Sequence, residues 1–362
     1  MPSSLSSLKW HKFPIGTDGF VCLIDVMGSD TDIVQAARIS FNKDNHEHDT
    51  LIFATLRKLY PQHSDRRDDM DEWDIDEVNA AFDEVTKDEN TLLRYLMRNE
   101  HGTPFEMAEV KLMIQIPMDA WRQFVRHRTL NINEYSTRYT EAIDSMAKTP
   151  PDEWRLQATG NKQGSGGMLS DWPEGYTPMP NVVKHAKNPN FSHTMAFGIG
   201  DSSRPPTPGE YLASRENEFG IIAQDIYKER LGFGVAREQA RKDLPLSTYT
   251  RAIVKCDVRN WLHFLGLRMD SHAQKEIRDF ANVIGNEIIR PLFPLTWNAF
   301  VDYRLGSMSL SRLDIRLLQT INGNKDLDPE KVAELIFTNK RERQESLDKL
   351  TRLRFILDTP AV

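Results

Sequence analysis

Thirteen residues, RHRTLNINEYSTR at 126–138, combine three arginines with a histidine, a glutamate, a serine and two asparagines. Guanidinium forks match phosphate and carboxylate oxygens, and hydroxyl and amide groups add neutral hydrogen-bonding partners. The segment therefore predicts a pocket for a compact anion. An Arg–Glu salt-bridge network at an interface is an open alternative on these residues alone.

Two later segments also concentrate polar groups. Arg237 and Arg241 are four residues apart, so on a helix they share a face and could approach one ligand, although a solvated charged helix explains them equally well. Arg268 ends the apolar run WLHFLGL, where a buried guanidinium needs a partner. His272 follows at the next predicted helix start, a place where a histidine is more often structural than catalytic.

Metal and thiol chemistry have little support. The chain has no HExxH, CxxC or paired-aspartate pattern, so we expect no metal site. Its two cysteines, Cys22 and Cys256, lie in apolar stretches and are expected to be small core residues rather than nucleophiles or ligands. The glycine-rich GSGG at 164–167 lacks both the preceding strand and the following Lys-Ser/Thr of a phosphate loop.

Helices and strands must position these groups. Gln123 and Arg126 share a face of a helix predicted over 120–128, and the extended pattern from Asn133 to Tyr139 would point Glu134, Ser136 and Arg138 one way. Strands are predicted at 20–26 and 110–117, and helices at 32–38, 91–98, 210–231, 235–244, 257–267 and, after capping-box spacing at 271–274, on to 288. This pattern predicts an α+β fold, a helix-rich domain around a small, mostly antiparallel sheet.

The charge is unevenly distributed. The chain of 362 residues has a net charge of −7, but residues 65–89 hold twelve acidic and three basic residues, so that stretch carries −9 and the rest +2. The body could hold a compact anion, but it has no basic stripe suited to a nucleic acid. Without a long apolar run or a secretory leader, we expect a cytoplasmic protein that does not bind membranes.

The domain organisation follows from composition. Nine of the nineteen prolines and eight of the nineteen glycines lie between residues 150 and 209, which predicts a long irregular excursion. We therefore predict a catalytic domain at 1–310, with insertions near 61–90 and 145–210. A helical C-terminal extension is predicted at 311–362.

The polar segments resemble, in type and order, those of the flavin-dependent thymidylate synthases. The signature of that family is RHR, seven residues and then serine, and here RHR at 126–128 is followed by Ser136 within NEYSTR. Further similarity lies in HGTPFE at 101–106, ARKDLPLSTYTR at 240–251 and FLGLRMDSHAQKEIR at 264–278. The resemblance covers roughly residues 18–60, 90–145 and 210–300.

The resemblance implies a homotetramer with active sites at subunit interfaces and reductive methylation of dUMP to dTMP. Methylenetetrahydrofolate would supply the carbon, FAD would carry it with the reducing equivalents, and NADPH would reduce the flavin. By motif position, the implied dUMP contacts are Gln123, Phe124, Val125, Arg126, Glu134, Tyr135, Ser136, Thr137, Arg138, Arg241 and Arg268. The implied FAD contacts are Ser40, Thr103, Arg126, His127, Arg128, Glu134, Asp257, Val258, Arg259, His263 and His272.

The implied reaction needs a polarised uracil and no enzyme thiolate. A cation such as Arg268 beside the O2/N3 edge of uracil would favour the N3-deprotonated form, which makes Arg268 the expected catalytic residue. Ser136 has no base positioned for it in the sequence and is interpreted as a ligand-orienting hydroxyl. Two alternatives are a related flavin- and folate-dependent pyrimidine hydroxymethylase and a nucleotide-binding homologue without turnover.

Two positions depart from the family pattern. Asn131 lies in the seven-residue spacer where serine is frequent, and Asp257 stands where asparagine is usual in some members. An aspartate could accept a hydrogen bond from a ribose hydroxyl, but it would be unfavourable beside a phosphate.

Overall fold

The computed structural model describes residues 5–40, 48–63, 66–70, 73–158, 165–176, 206–324 and 327–358. The chain packs as two units, Met1–Leu305 and Gly306–Val362.

A five-stranded antiparallel sheet with the order β1-β2-β3-β7-β4 lies at the centre of the first unit, and a separate hairpin pairs β5 with β6. In chain order the strands are β1 (Lys12–Ile15), β2 (Gly19–Met27), β3 (Glu109–Pro117), β4 (Asn131–Glu134), β5 (Arg155–Gln157), β6 (Ser165–Met168) and β7 (Tyr249–Asp257). The predicted α+β class with a small antiparallel sheet is confirmed. The hairpin adds regular structure to a stretch predicted to be mostly irregular.

Most of the remaining regular structure is helical. In the first unit the helices are α1 (Leu5–Leu8), α2 (Asp30–Ile39), α3 (His48–Leu59), α4 (Ile75–Arg98), α5 (Met118–Phe124), α6 (Pro208–Gly232), α7 (Arg237–Ala240), α8 (Val258–Arg268), α9 (Lys275–Val283), α10 (Arg290–Leu292) and α11 (Pro294–Phe300). Short 3₁₀ turns lie at Pro61–His63, Thr103–Met107 and Arg241–Asp243, and π-helical turns at Ile284–Ile289 and Val301–Leu305.

The pairing of the two central strands positions helices α5 and α8 for contact. Strands β3 and β7 pair with Glu109 opposite Asp257 and Pro117 opposite Tyr249, so α5 and α8 leave from opposite ends of the pair. The two helices meet through aromatic rings, since Phe124 of α5 lies 4.7 Å from Phe264 of α8, centroid to centroid. This contact brings the residues after α5 against α8.

Helix α4 begins sixteen residues earlier than predicted, at Ile75 rather than at residue 91. Asp74 and Glu77 form a capping box at its start, and Ala81, Val85 and Leu93 continue a buried stripe. Most acidic side chains of this stretch lie on the exposed faces of the helix, although Glu77 and Glu89 are buried, and their number hides the apolar stripe in a composition count. Part of the acidic stretch is therefore the first half of α4.

The expected capping box at residues 271–274 does not form. The Asp270 carboxylate accepts the His272 backbone N–H at 2.8 Å, and α9 begins only at Lys275. An aspartate accepts such a bond from the residue two positions on more readily than serine, so Asp270 ends the preceding segment in a turn.

The second unit consists of α12 (Arg312–Gly323), α13 (Pro329–Ile336) and α14 (Lys340–Asp358). Leu317, Val332, Ala333 and Phe337 belong to its own small core. Across the described parts of both units, no helix combines the length and the apolar character needed to cross a membrane.

Candidate active site

The helical half of RHRTLNINEYSTR is shorter than predicted. Helix α5 ends at Phe124, whose side chain is fully buried, and the backbone N–H groups of Val125 and Arg126 close a turn onto Trp121 and Gln123. The predicted helix to residue 128 is wrong because the buried Phe124 anchors the last turn and the charged residues after it face solvent. Phe124 could therefore contact a nucleotide only through its main chain.

The extended half also ends early. Strand β4 stops at Glu134, and the Ser136 carbonyl accepts the N–H groups of Tyr139 and Thr140 at 3.1 and 3.2 Å. The predicted alternation through Tyr139 is therefore wrong, because residues after Ser136 fold into a turn. The Arg138 N–H, at 3.4 Å, is the one donor to the Ser136 hydroxyl among the described residues.

Arg241 reaches this turn from a distant part of the chain. Its Nη1 donates to the Thr137 hydroxyl at 2.5 Å, and Thr250 donates to the Glu134 carboxylate at 2.8 Å. Helix α7 is a single turn, so Arg237 stays exposed while Arg241 opens the following 3₁₀ turn. The structure thus joins Arg241, and not Arg237, to the signature.

Among the described residues of a single subunit, the signature arginines form no salt-bridge network. Within the described residues, no carboxylate pairs with Arg126, Arg128 or Arg138, and the Arg138 guanidinium instead lies 5.4 Å from the Tyr139 ring centroid. Guanidinium groups without carboxylate partners favour the anion pocket.

His127 receives the side chain of Arg268. The Arg268 Nε–H donates to His127 Nε2 at 3.0 Å. The His127 ring packs against the Phe264 ring, with the two ring centroids 4.8 Å apart. Burial, followed by the charges of Arg268 and His263, lowers the pKa of His127 to about 4. Burial also lowers the pKa of Arg268. A neutral histidine is therefore the partner that the guanidinium at the end of α8 was expected to need.

A cavity of about 420 Å³ lies beside α8. It is lined by Leu96, Met97, Glu100, His101, Gly102, Phe105, Arg259, Leu262, His263, Gly266, Leu267, Phe300 and Arg304. Two predicted flavin residues, Arg259 and His263, thus share one cavity, and Thr103 follows a third lining residue, Gly102. His101 and Arg304 were missed: His101 belongs to the HGTPFE motif, whereas Arg304 lies beyond every matching segment.

Gly102 allows Arg259 to approach the chain closely. A Cβ on Gly102 would lie 2.5 Å from Arg259 Nε and 2.8 Å from Cζ. The guanidinium is held there by its hydrogen bond to the Glu106 carboxylate. A residue with a side chain at position 102 would have to displace the Arg259 guanidinium.

Several predicted flavin contacts lie outside the cavity lining. Ser40 caps the end of α2, His272 is exposed and paired with Asp270 at 2.7 Å, and Val258 is buried with its N–H on the Ala108 carbonyl. The structure does not bring Ser40 or His272 to this cavity.

The two departures from the family pattern have different roles. The Asp257 carboxylate caps α8, accepting the Asn260 N–H at 2.8 Å and the Asn260 side-chain amide at 2.7 Å. Asn131 is exposed at the start of β4, opposite Lys255. Both oxygens of Asp257 are thus engaged within its own turn.

The low pKa of His127 predicts a pH-dependent stability. An unfolded histidine binds a proton below about pH 6.5, whereas folded His127 stays neutral down to about pH 4. Acidification through this window protonates the unfolded chain preferentially, so the free energy of unfolding should fall. Urea denaturation at several pH values should show a steeper fall for the wild type than for His127→Gln.

The matched control for that series is His11→Gln, at an exposed histidine. Parallel pH profiles for wild type and His127→Gln would contradict a neutral His127 in the folded protein.

The segments discussed above lie within the part of the chain that is similar to known proteins. A sequence profile of the family described as "Thymidylate synthase complementing protein" matches residues 22–295. A flavin-dependent thymidylate synthase of Wolbachia pipientis wMel is 32% identical over 318 residues, covering 88% of this chain and 86% of the relative. The enzyme of the same name from Dictyostelium discoideum is 36% identical over 270 residues, covering 75% of this chain and 73% of the relative.

A solved structure has the same fold. The crystal structure of a UMP/dUMP methylase PolB from Streptomyces cacaoi, bound with 5-Br UMP, superposes with a TM-score of 0.53 at 23% identity. The superposition covers 79% of this chain and 95% of that protein. At this level of identity the likeness supports the fold.

Proposed function

The chain belongs to the flavin-dependent thymidylate synthases, and from that membership we propose that it methylates dUMP to dTMP. In this proposal methylenetetrahydrofolate is the carbon donor, FAD the carrier and NADPH the reductant. The observation that carries the proposal is the meeting of Arg268 with the His127 of the RHR signature, and of Arg241 with its NEYSTR half. The active form is proposed to be a homotetramer in which neighbouring subunits complete each site.

The nucleotide is proposed to bind at the turn that follows β4. The hydroxyl of Ser136 and the guanidinium groups of Arg126, Arg138 and Arg241 would hold the phosphate and ribose. Support comes from the absence of carboxylate partners for Arg126 and Arg138 in the described residues and from the short Arg241–Thr137 bond. Gln123, Val125, Glu134, Tyr135 and Thr137, with the main chain of Phe124, complete the proposed contacts.

The cavity beside α8 suits part of FAD. Arg259 could hold a flavin phosphate or adenosine hydroxyl, His263 and Thr103 flank it, and the missing side chain at Gly102 leaves the room that the Arg259 guanidinium needs. The other proposed contacts are Arg126, His127, Arg128, Glu134, Asp257 and Val258, with Ser40 and His272 more remote. When bound, FAD would supply the redox chemistry and carry the transferred carbon.

Arg268 is proposed to polarise the uracil. Partial burial strengthens its field, and a cation beside O2 and N3 stabilises the negative charge that develops when N3 loses its proton. Neutral His127 would orient the guanidinium through Nε without competing for its charge. This arrangement leaves the Nη groups of Arg268 to face the base.

We propose that no cysteine of the enzyme attacks the uracil. Both cysteine thiols are buried, and burial raises the pKa of Cys22. Burial, with the charges of Asp257 and Glu109, raises the pKa of Cys256. A buried thiol that keeps its proton is a poor nucleophile, which supports the flavin-dependent route.

Ser136→Ala tests the assigned role of the serine hydroxyl. We expect KM for dUMP to rise by about tenfold, as for one lost hydrogen bond to a charged ligand, with residual turnover. Steady-state kinetics and dUMP titration measure the two effects, with Ser309→Ala, at an exposed serine, as control. If turnover vanished while dUMP still bound tightly, Ser136 would be the nucleophile and the assignment would fall.

The proposed function is tested by the absorption spectrum and activity of the purified protein. It should show the flavin absorption bands and form dTMP from dUMP, methylenetetrahydrofolate and NADPH. Flavin and dUMP binding without NADPH oxidation would instead support the non-catalytic alternative. A colourless protein that FAD does not stabilise would contradict the proposal.

A further inference from the structure

A chain of three polar side chains links α5 to the start of α9. The Gln123 side-chain amide donates from Nε2 to Gln274 Oε1, and Gln274 Nε2 donates to Asp119 Oδ2 at 3.4 Å. Asp119 lies one helical turn before Gln123, so the chain starts and ends on the same helix. The family signature includes neither Asp119 nor its link to Gln274.

The hydrogen bonds among these three side chains all run in one direction, from donor to acceptor. An ionised carboxylate only accepts, whereas an amide donates at one end and accepts at the other. Asp119 therefore selects the amino end of Gln274, and the carbonyl end of Gln274 selects the amino end of Gln123. Within the described residues the Gln123 Oε1 atom has no partner, so Gln123 presents a free acceptor.

The carboxylate at the origin of the chain is itself held in place. Asp119 Oδ1 accepts the Ala120 backbone N–H at 2.7 Å, which leaves Oδ2 for Gln274. Asp119 is partly buried and Gln274 is exposed, so the bond between them lies at the protein surface.

We propose that Asp119 and Gln274 are positioning residues that hold the Gln123 amide with its carbonyl oxygen toward the nucleotide. This inference rests on the proposed function, because it places a uracil nucleotide beside Gln123. The ligand group that the oxygen recognises is a hydrogen-bond donor of the nucleotide, either the N3–H of uracil or a ribose hydroxyl.

The proline- and glycine-rich excursion supports the position of Gln274. Directly after this residue, Lys275 pairs with Glu153 at 3.1 Å, and Glu276 accepts a bond from Arg155 at 2.5 Å. Glu153 and Arg155 belong to the segment around β5. These ion pairs connect the start of the excursion to the start of α9 and so help to hold Gln274 in place.

Exchanging the amide and the carboxylate between positions 119 and 274 tests whether these residues set the orientation of the Gln123 amide. In Asp119→Asn the terminal group can donate or accept, so Gln274 and Gln123 lose their fixed orientation. In Gln274→Glu a carboxylate faces Asp119. Together the two substitutions restore the orientation of Gln123, because the new amide at position 119 would donate to the new carboxylate at position 274, and that carboxylate would still accept from the Gln123 amide.

The measurement is the Kd of dUMP for the flavin-loaded protein, by calorimetry, with kcat recorded separately. Each single variant should raise Kd about three- to tenfold, the effect of one weakened hydrogen bond. In Asp119→Asn the two glutamine amides lose their fixed orientation, and in Gln274→Glu repulsion from Asp119 moves the new carboxylate away from Gln123. The double variant should return Kd to within about twofold of the wild type. Asp119→Asn would then weaken dUMP binding in the wild-type protein and restore it in Gln274→Glu. At saturating dUMP, kcat should change little.

The matched control is a second Gln–Asp pair, since Gln344 Nε2 donates to Asp348 Oδ1 at 2.9 Å on α14. Gln344→Glu, Asp348→Asn and their combination make the same charge changes and should leave Kd unchanged. Gln274→Met, which keeps the size but removes both hydrogen bonds, covers a failure of the charged variants to fold and should also raise Kd. Comparing N3-methyl-dUMP with a 3′-deoxy nucleotide identifies the donor.

Additive losses in the double variant, or an unchanged Kd in Gln274→Met, would overturn the inference. If the wild type itself failed to bind dUMP, the proposed function would fall first. The two failures are therefore distinguishable in one data set.

Discussion

Replacing Arg268 with alanine is expected to lower the turnover number about 10²- to 10³-fold, the usual cost of removing one group that stabilises charge in a transition state. The guanidinium is the cation that the structure places at the end of α8, held by neutral His127 at 3.0 Å. Without it, the N3-deprotonated form of uracil loses its stabilising charge. Single-turnover formation of dTMP measures the loss.

The fold should tolerate that substitution. Arg268 lies in the last turn of α8, is only partly buried, and makes its hydrogen bond to His127, which is also partly buried. We therefore expect a melting temperature near that of the wild type and normal reduction of the flavin by NADPH. Arg290→Ala, at an exposed arginine, is the control, and wild-type turnover in Arg268→Ala would contradict the catalytic assignment.

Loss of the Arg259 guanidinium from its cavity is expected to have the second largest effect. Arg259→Ala should raise the Kd of FAD about 10- to 100-fold, since charge-assisted hydrogen bonds to a phosphate are among the stronger contacts in a binding site. Fluorescence titration of the apoprotein with FAD measures the change.

Gly102→Ala provides an independent version of the same test. Its new Cβ would meet the Arg259 side chain at 2.5 Å, so the flexible guanidinium has to move while the backbone stays in place. The variant should fold normally and weaken FAD binding in the same direction as Arg259→Ala. Gly232→Ala is the matched control, because no atom lies within 4 Å of its added Cβ. FAD binding as tight as in the wild type would show that Arg259 does not contact the flavin.

The spacing of apolar residues in the sequence predicts those helices and strands in which buried residues recur at a regular interval. In β3 the alternation of Val110, Leu112, Ile114 and Ile116 appears both in the sequence and in the burial. The start of α4 could not be read this way, because one buried residue per turn lies among acidic neighbours. Strand alternation also failed after Glu134, where a turn closed by main-chain hydrogen bonds replaces it.

Contacts between distant segments are beyond local pattern reading. Arg241 meets Thr137 across 104 residues and Arg268 meets His127 across 141 residues. Only the order of the motifs, matched to a known family, placed these groups together before the structure did. The cap formed by Asp257 and the cavity residue Arg304 depend on chain geometry outside the motifs, so neither was predicted.

The mass of the nucleotide product tests the central claim most directly. After incubation of the flavin-loaded protein with dUMP, methylenetetrahydrofolate and NADPH, the proposed function predicts a nucleotide heavier than dUMP by one CH₂ group. A product with one further oxygen would identify a hydroxymethylase, and unchanged dUMP would contradict the assignment of this chain as a thymidylate synthase.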